Sequence, residues 1–375
     1  MKMKKTVSLI LAAVMLLLST ALSVSAGEIS PQVKRITYHL GFGSPESYTQ
    51  LAYGDSALTV DSEPDNGWVT REGYAFAGWA ESADGTVKYL GGEKIENGLA
   101  ELYAVWCPTY LEKDEVFRFS NSKSYFTTDE RDTYLLSKEN ADMLQKNIYK
   151  TFGTTPIPGV ALSIALSTYP NWKWKGSCYG ISTVTALRHY NLLDADVLGG
   201  AESLSDLSMS DELMSLINYY QANAATSWLC ENKALKPGTA GYASSMKAMF
   251  ESVKKGNIVL YTFYEGNAFV TAGHTVLLTG AYEDTEGNHY FVAYDCNHPY
   301  RYTNGRKTDR FVLSPDYRHM TDDTGDSVGA ANWTDSFSQF DSFNVNGNGK
   351  VSSWYSAFFA QIGQAFMQLF SSVKM

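Results

Sequence analysis

The chain has 375 residues with a formal net charge of −10, and 44% of them are apolar. That length exceeds one ordinary domain and supplies core material for two or three. The acidic balance repels phosphate backbones and anionic lipid, which argues against a nucleic-acid partner.

Residues 1–26 join a basic start (Lys2, Lys4, Lys5), an apolar stretch from Val7 to Leu18 and the small residues Val24-Ser25-Ala26. This is the pattern of a cleaved secretory signal. Its removal takes away three lysines and no acid, so −10 becomes −13. The mature chain is expected to begin near Gly27 and to be secreted, extracellular or at the cell surface. No cysteine follows the apolar stretch for lipid attachment, and no later run reaches the roughly 18 apolar residues of a spanning helix. Four cysteines (Cys107, Cys178, Cys230, Cys296) are few for a disulfide scaffold. With Cys178 a free thiol, at most one bridge forms among Cys107, Cys230 and Cys296, its pairing open.

The first module, residues 33–107, reads as short strands with turns: Val33 to Leu40, Ala57 to Val60, Tyr74 to Trp79 and Glu101 to Trp106. A Gly/Ser/Pro break follows Leu40. Tyr74, Phe76, Trp79, Tyr103 and Trp106 are expected as core aromatics of a small sheet. The segment Arg71-Glu72-Gly73-Tyr74-Ala75-Phe76-Ala77-Gly78-Trp79, then Asp84-Gly85-Thr86 and the ending Leu102-Tyr103-Ala104-Val105-Trp106, resembles the internalin B-repeat (Listeria-Bacteroides repeat) family. The resemblance implies a small β-grasp-like surface module for attachment or spacing, with a cell-surface or host ligand as its partner. It departs at Leu40-Gly41-Phe42-Gly43-Ser44, where adjacent glycines are usual.

Pro108 to Asn121 reads as a polar connection and Glu130 to Phe152 as a helix, broken by Thr154-Thr155-Pro156-Ile157-Pro158-Gly159. From Ser177 the pattern is helical, with Ile181, Val184 and Leu187 three apart and no breaker before Asn191. Met209 to Asn223 and Tyr242 to Lys254 are further helices. After Gly256 strands take over: Ile258 to Tyr264, Thr275 to Tyr282 and His289 to Tyr294, the last two joined by a turn at Glu286-Gly287-Asn288. Helices first and antiparallel strands afterwards predict an α+β fold. At the C-terminus, 351–375, Trp354, Phe358, Ile362, Phe366 and Phe370 step by four, an amphipathic helix. Its polar face is Ser and Gln with Lys374 as cation, so docking on protein is favoured over membrane contact.

Chemistry concentrates in three places. Cys178 opens a helix, where unpaired N–H groups and the positive dipole end favour thiolate, and its own N–H can donate to an oxyanion. Gly176 and Gly180 beside it allow close approach of a substrate. His274 begins a strand whose inward face is His274, Val276 and Leu278. Asp295 ends the neighbouring strand, within reach to orient the imidazole. By alternation Asp295 and Asn297 share a face while Cys296 points away into packing. His39, His189, His289, His298 and His319 lack metal-site spacing and are expected to be satisfied structural histidines. Asn344-Val345-Asn346-Gly347-Asn348-Gly349 lacks the carboxylates a hard cation wants and reads as a polar turn.

The stretch from about Asn171 to His298 resembles a papain-like cysteine peptidase. Gly273-His274-Thr275-Val276-Leu277-Leu278-Thr279-Gly280 followed by Tyr290-Phe291-Val292-Ala293-Tyr294-Asp295-Cys296-Asn297 is similar to the bacteriocin-processing branch. The resemblance implies a papain-like domain over 111–345, helices followed by an antiparallel sheet, with Cys178 as nucleophile, His274 as base and Asp295 as orienting residue. Papain-like enzymes carry a glutamine about six residues before the cysteine, and here Trp172 stands there. Asn171 is the nearest amide for the oxyanion hole, with Lys173 or Lys175 as alternative donors. The expected function is a secreted peptidase working on peptide or protein substrates through a thioester, with no metal or organic cofactor. Two alternatives stay open: a transglutaminase-like acyltransferase, and a non-catalytic adhesion protein with a peptidase-like binding domain.

Overall fold

The computed structural model describes residues 33–351, except 43–45, 55, 65–69, 96–98, 128–133, 153–173, 227–229, 233, 265–272, 305–307 and 338–346. The expected signal segment 1–26, Asn171, Trp172, Lys173 and the helix expected from Trp354 onward lie outside the described residues. No helix among the described residues is long and apolar enough to cross a membrane. The chain is a mixed α and β protein with several sheets.

The N-terminal module has a four-stranded sheet in the order β2-β1-β6-β4, made by β1 (Val33–His39), β2 (Ser47–Tyr53), β4 (Tyr74–Ala80) and β6 (Leu99–Pro108). A second pairing joins β3 (Leu58–Thr59) to β5 (Lys94–Ile95). Strand β2 went unread in the sequence. Its residues alternate between exposed and half-buried, so it shows no apolar face and is held by its ladder to β1. Phe76 and Trp79 are buried with Ile36, Tyr38 and Leu102, each large side chain worth roughly 1.5–3 kcal/mol of burial. Tyr74, Tyr103 and Trp106, expected in that core, are only half-buried; Tyr74 is covered by the Arg71 guanidinium, 3.9 Å from its ring centre.

The segment after the module is no polar connection. Leu111, Val116, Phe117 and Phe119 are all buried in the main core. Four charged residues at 112–115 masked this apolar content in the sequence. A short helix, α1 (Lys123–Phe126), follows; of the helix expected over Glu130 to Phe152, residues 130–133 lie outside the described residues, 134–137 are not helical and α2 runs over Lys138–Phe152. Next come α3 (Cys178–His189), α4 (Asp211–Thr226), β7 (Cys230–Asn232) and α5 (Ala240–Lys254).

The remaining strands are β8 (Val259–Tyr264), β9 (Gly273–Glu283), β10 (His289–Tyr294), β11 (Asp309–Leu313), β12 (Met320–Asp322) and β13 (Ala331–Thr334), with α6 (Pro299–Asn304) between β10 and β11. They form one antiparallel sheet in the order β12-β11-β10-β9-β8-β13. Both faces are covered. On one, Tyr242, Met246, Met249 and Phe250 of α5 pack on Val259, Tyr261, Val276 and Leu278. On the other, α3 packs on β8 and β9, in one buried cluster with Leu260, Leu277, Val292 and Tyr294, and α4 packs on α3. That is why β9 and β10 read as continuous apolar runs rather than alternating ones. A last strand, β14 (Gly347–Val351), pairs with β7, so residues 347–349 are extended rather than a turn.

The module does not hang free. Ala75, Ala77, Val87 and Cys107 belong to the same buried cluster as α3. Tyr282 donates its hydroxyl hydrogen to the Ala77 carbonyl at 3.1 Å, and Arg310 donates to the Phe76 carbonyl at 2.8 Å. At this seam Gly280 leaves no room for a side chain: a Cβ would stand 2.5 Å from the Pro108 carbonyl oxygen and 3.0 Å from Cys107 Sγ. Gly280→Ala is therefore expected to cost about 1–3 kcal/mol, read as a lower midpoint in thermal unfolding. A midpoint equal to wild type would show that the seam yields freely.

Candidate active site

Cys178 is the first residue of α3, and Ser177 is its N-cap. The Ser177 hydroxyl caps nothing. It accepts from the Trp174 indole at 2.9 Å and donates to Asn218 Oδ1 of α4 at 3.0 Å, while Asn218 Nδ2 donates to the Leu135 carbonyl at 2.9 Å. This network fixes the start of α3 in the core. Gly180 sits against the Ile217 carbonyl, so α3 and α4 approach more closely than any side chain there would permit. The Gly180 N–H donates to Gln221 Oε1 at 3.2 Å, which satisfies one donor of the first turn. Before the cysteine, Gly176 adopts φ +126°, a conformation that favours glycine, and its carbonyl accepts the Tyr134 hydroxyl at 2.8 Å.

His274 lies near the start of β9, opposite Phe263 of β8, whose ring stands edge-on to the imidazole. Asp295 follows the last residue of β10. A bulge at Thr279 of β9, which is skipped between the pairs Val292–Gly280 and Ala293–Leu278, shifts the register just before that end. His274 Nε2 and Asp295 Oδ1 are 2.9 Å apart. The Asn297 N–H donates to the same Oδ1 at 2.7 Å, and Asn297 Nδ2 is 3.4 Å from His274 Nε2. Cys296, as the alternation predicts, points into the core and is fully buried; Cys107 and Cys296 are both free thiols.

Cys178, His274 and Asp295 line one cavity of about 520 Å³, with Asn121, Lys175, Phe263 and Asn297 in its wall. Burial opposes charge on the His274 ring, but its hydrogen bond to Asp295, the neighbouring Cys178 sulfur and the negative charge of Asp295 outweigh it, pushing the imidazole up to about 10. Burial likewise works against the Asp295 carboxylate, and its bond to His274 prevails, holding it below the usual carboxylate range.

The other histidines divide. His39 pairs with Glu101 at 2.7 Å and His189 with Glu115 at 3.0 Å. His289 was expected to be satisfied, yet its buried Nδ1 has no hydrogen-bond partner; its ring instead packs edge-on against Phe250 and over Tyr317. His298 Nδ1 is also buried without a hydrogen-bond partner, 3.9 Å from Asp309 Oδ1. Asp295, His298 and Asp309 offer ligand atoms all within 4.8 Å of one another, a grouping that sequence spacing concealed because Asp309 comes from β11. Arg301 of α6 bonds the Asp309 carboxylate and so already supplies a cation to it.

Asn121 is the member of the site that sequence reasoning missed. It lies 57 positions before the cysteine, at the end of a segment read as a connector, and no local pattern marks it.

Residues 35–105 match the family model of the Listeria-Bacteroides repeat domain. This repeat is typical of extracellular or surface proteins. No curated protein matches the chain.

Proposed function

We propose that the protein is a secreted, papain-like cysteine peptidase. The observation that carries this reading is the joint lining of one cavity by Cys178, His274 and Asp295, with the imidazole bonded to the carboxylate at 2.9 Å. Because Nε2 is engaged by Asp295, Nδ1 is the nitrogen left to exchange a proton with sulfur. Cys178 attacks the scissile carbonyl carbon as thiolate, and the developing oxyanion takes the Cys178 N–H, one of the first-turn donors without an intrahelical acceptor. The His274 imidazolium then gives its proton to the leaving amine, and a thioester remains on Cys178. Water, deprotonated by the now neutral ring, attacks the thioester; the acid product leaves and sulfur recovers its thiolate form. Asp295 keeps its charge throughout and orients the ring.

The repeat module, by its family, would hold the enzyme at a surface. If an amine replaces water in the second half, the same residues perform acyl transfer.

Alkylation by iodoacetamide near pH 7 tests the reading directly. In the mature chain Cys178 is expected to react at least about 10-fold faster than a free thiol peptide, since the latter is only a few per cent thiolate at that pH. Mass spectrometry of the labelled peptide locates the adduct. A rate at or below that of the free peptide would favour the non-catalytic adhesion alternative.

A further inference from the structure

Asn121 joins the two halves of the site. Its Oδ1 accepts the N–H of Ser177, the residue before the nucleophile, at 2.8 Å. Its Nδ2 donates to Asn297 Oδ1 at 2.9 Å, and its backbone N–H donates to the Cys296 carbonyl at 2.8 Å. Asn297 in turn donates its own N–H to Asp295 Oδ1. One amide side chain therefore spans from the start of the cysteine helix to the turn that carries the carboxylate. These segments belong to α3 and to the end of β10, and the packing of α3 on the sheet fixes their spacing mainly through apolar contacts, which are non-directional, with two long polar links beside them: Ser182 Oγ to the Thr275 carbonyl at 3.4 Å and Cys296 Sγ to the Cys178 carbonyl at 4.0 Å. Hydrogen bonds to both sides add the directional constraint that apolar packing lacks.

We propose that Asn121 is a positioning residue, a clamp that sets the distance between Cys178 and the His274–Asp295 pair by holding Ser177 and Asn297 at once. The proposal rests on the cysteine-peptidase reading of the site. It assigns Asn121 no contact with substrate: it acts through Ser177 on the sulfur and through Asn297 on the carboxylate. Loss of the clamp frees both, and misplacement on the ångström scale is enough to cost up to about 100-fold in rate.

The test uses the full mature chain and iodoacetate, an anion that the imidazolium attracts, so that its reaction rate with Cys178 falls as His274 loses its proton. Asn121→Ala is expected to lower the second-order rate about 10-fold or more. It should also move the alkaline limb of the pH profile to lower pH, because a freed Asp295 supports the imidazolium less. Asn297→Ala should do the same, and the double variant should be no worse than the worse single one, since both break one link. Should Asn121→Ala fail to fold, Asn297→Ala, which leaves the Ser177 bond in place, carries the test. If the wild-type chain reacts fast and Asn121→Ala matches it in rate and in profile, the clamp is wrong and the peptidase reading stands. If both single variants are slowed but their effects multiply in the double variant, they act separately and the clamp is also wrong. If the wild-type cysteine is no faster than a free thiol peptide, both proposals fall together.

Discussion

In His274→Ala, hydrolysis of a fluorogenic protein substrate such as labelled casein is expected to fall by roughly 1,000- to 10,000-fold relative to the wild-type mature chain. The reason is that one ring performs two proton transfers: it holds the proton that the leaving amine needs and later takes one from the attacking water. Alanine removes both and leaves Cys178 facing Asp295 across an empty space with no cation between them. The same change is expected to slow iodoacetamide labelling of Cys178, because the positive neighbour that favours thiolate is gone. Measuring the two rates in one preparation separates the roles. Loss of hydrolysis with labelling unchanged would confine His274 to the proton transfers, whereas unchanged hydrolysis would remove it from the mechanism.

The second large effect concerns pH. With the imidazole pushed up to about 10 by its partners, the protonated ring persists through neutral pH and is lost as pH rises through that value. The wild-type rate with an anionic alkylator should therefore hold to near pH 10 and decline above it. Asp295→Asn removes the carboxylate charge, and burial, which disfavours the charged ring, then acts with less opposition. The alkaline limb is expected to move down by about 1 unit or more, toward the ordinary histidine value. Hydrolysis should fall by about 10-fold or more, because the amide oxygen can still orient the ring but no longer supplies the charge that supports the imidazolium. A pH profile for Asp295→Asn superimposable on wild type would show that the 2.9 Å bond does not govern the ring.

Much of this architecture was legible because it is local. Cys178 at the head of a helix is announced by the run from Ser177 to Asn191, and His289 to Tyr294 was placed residue for residue as a strand. The Asp284–Asn288 turn, closed by Asp284 side-chain bonds, sets β9 and β10 antiparallel and brings His274 and Asp295 to one end of the sheet. The aromatic module was readable from its Tyr74 to Trp79 and Leu102 to Trp106 segments, which fall within the matched repeat domain. Where the reading failed, the residues lacked a local signature. Strand β2 has no buried face, and Leu111, Val116, Phe117 and Phe119 are buried in a cluster they share with distant residues of α3 and β10.

The sequence by itself determined the chemistry on offer: a thiol among helix donors, an imidazole and a carboxylate on neighbouring strands, and an aromatic repeat ahead of them. These follow from periodicity and turn chemistry, which act over a few residues. Only the tertiary structure decided how they meet. It brought Asn121 between Ser177 and Asn297, set Asp309 and Arg301 beside His298, and fused the repeat module to the sheet through Tyr282, Arg310 and the bare surface of Gly280. The bonds of Asn121, Tyr282 and Arg310 among them join residues from 56 to 234 positions apart, and they exist because burial of apolar surface on both faces of one sheet forces distant polar groups together, where most find a partner.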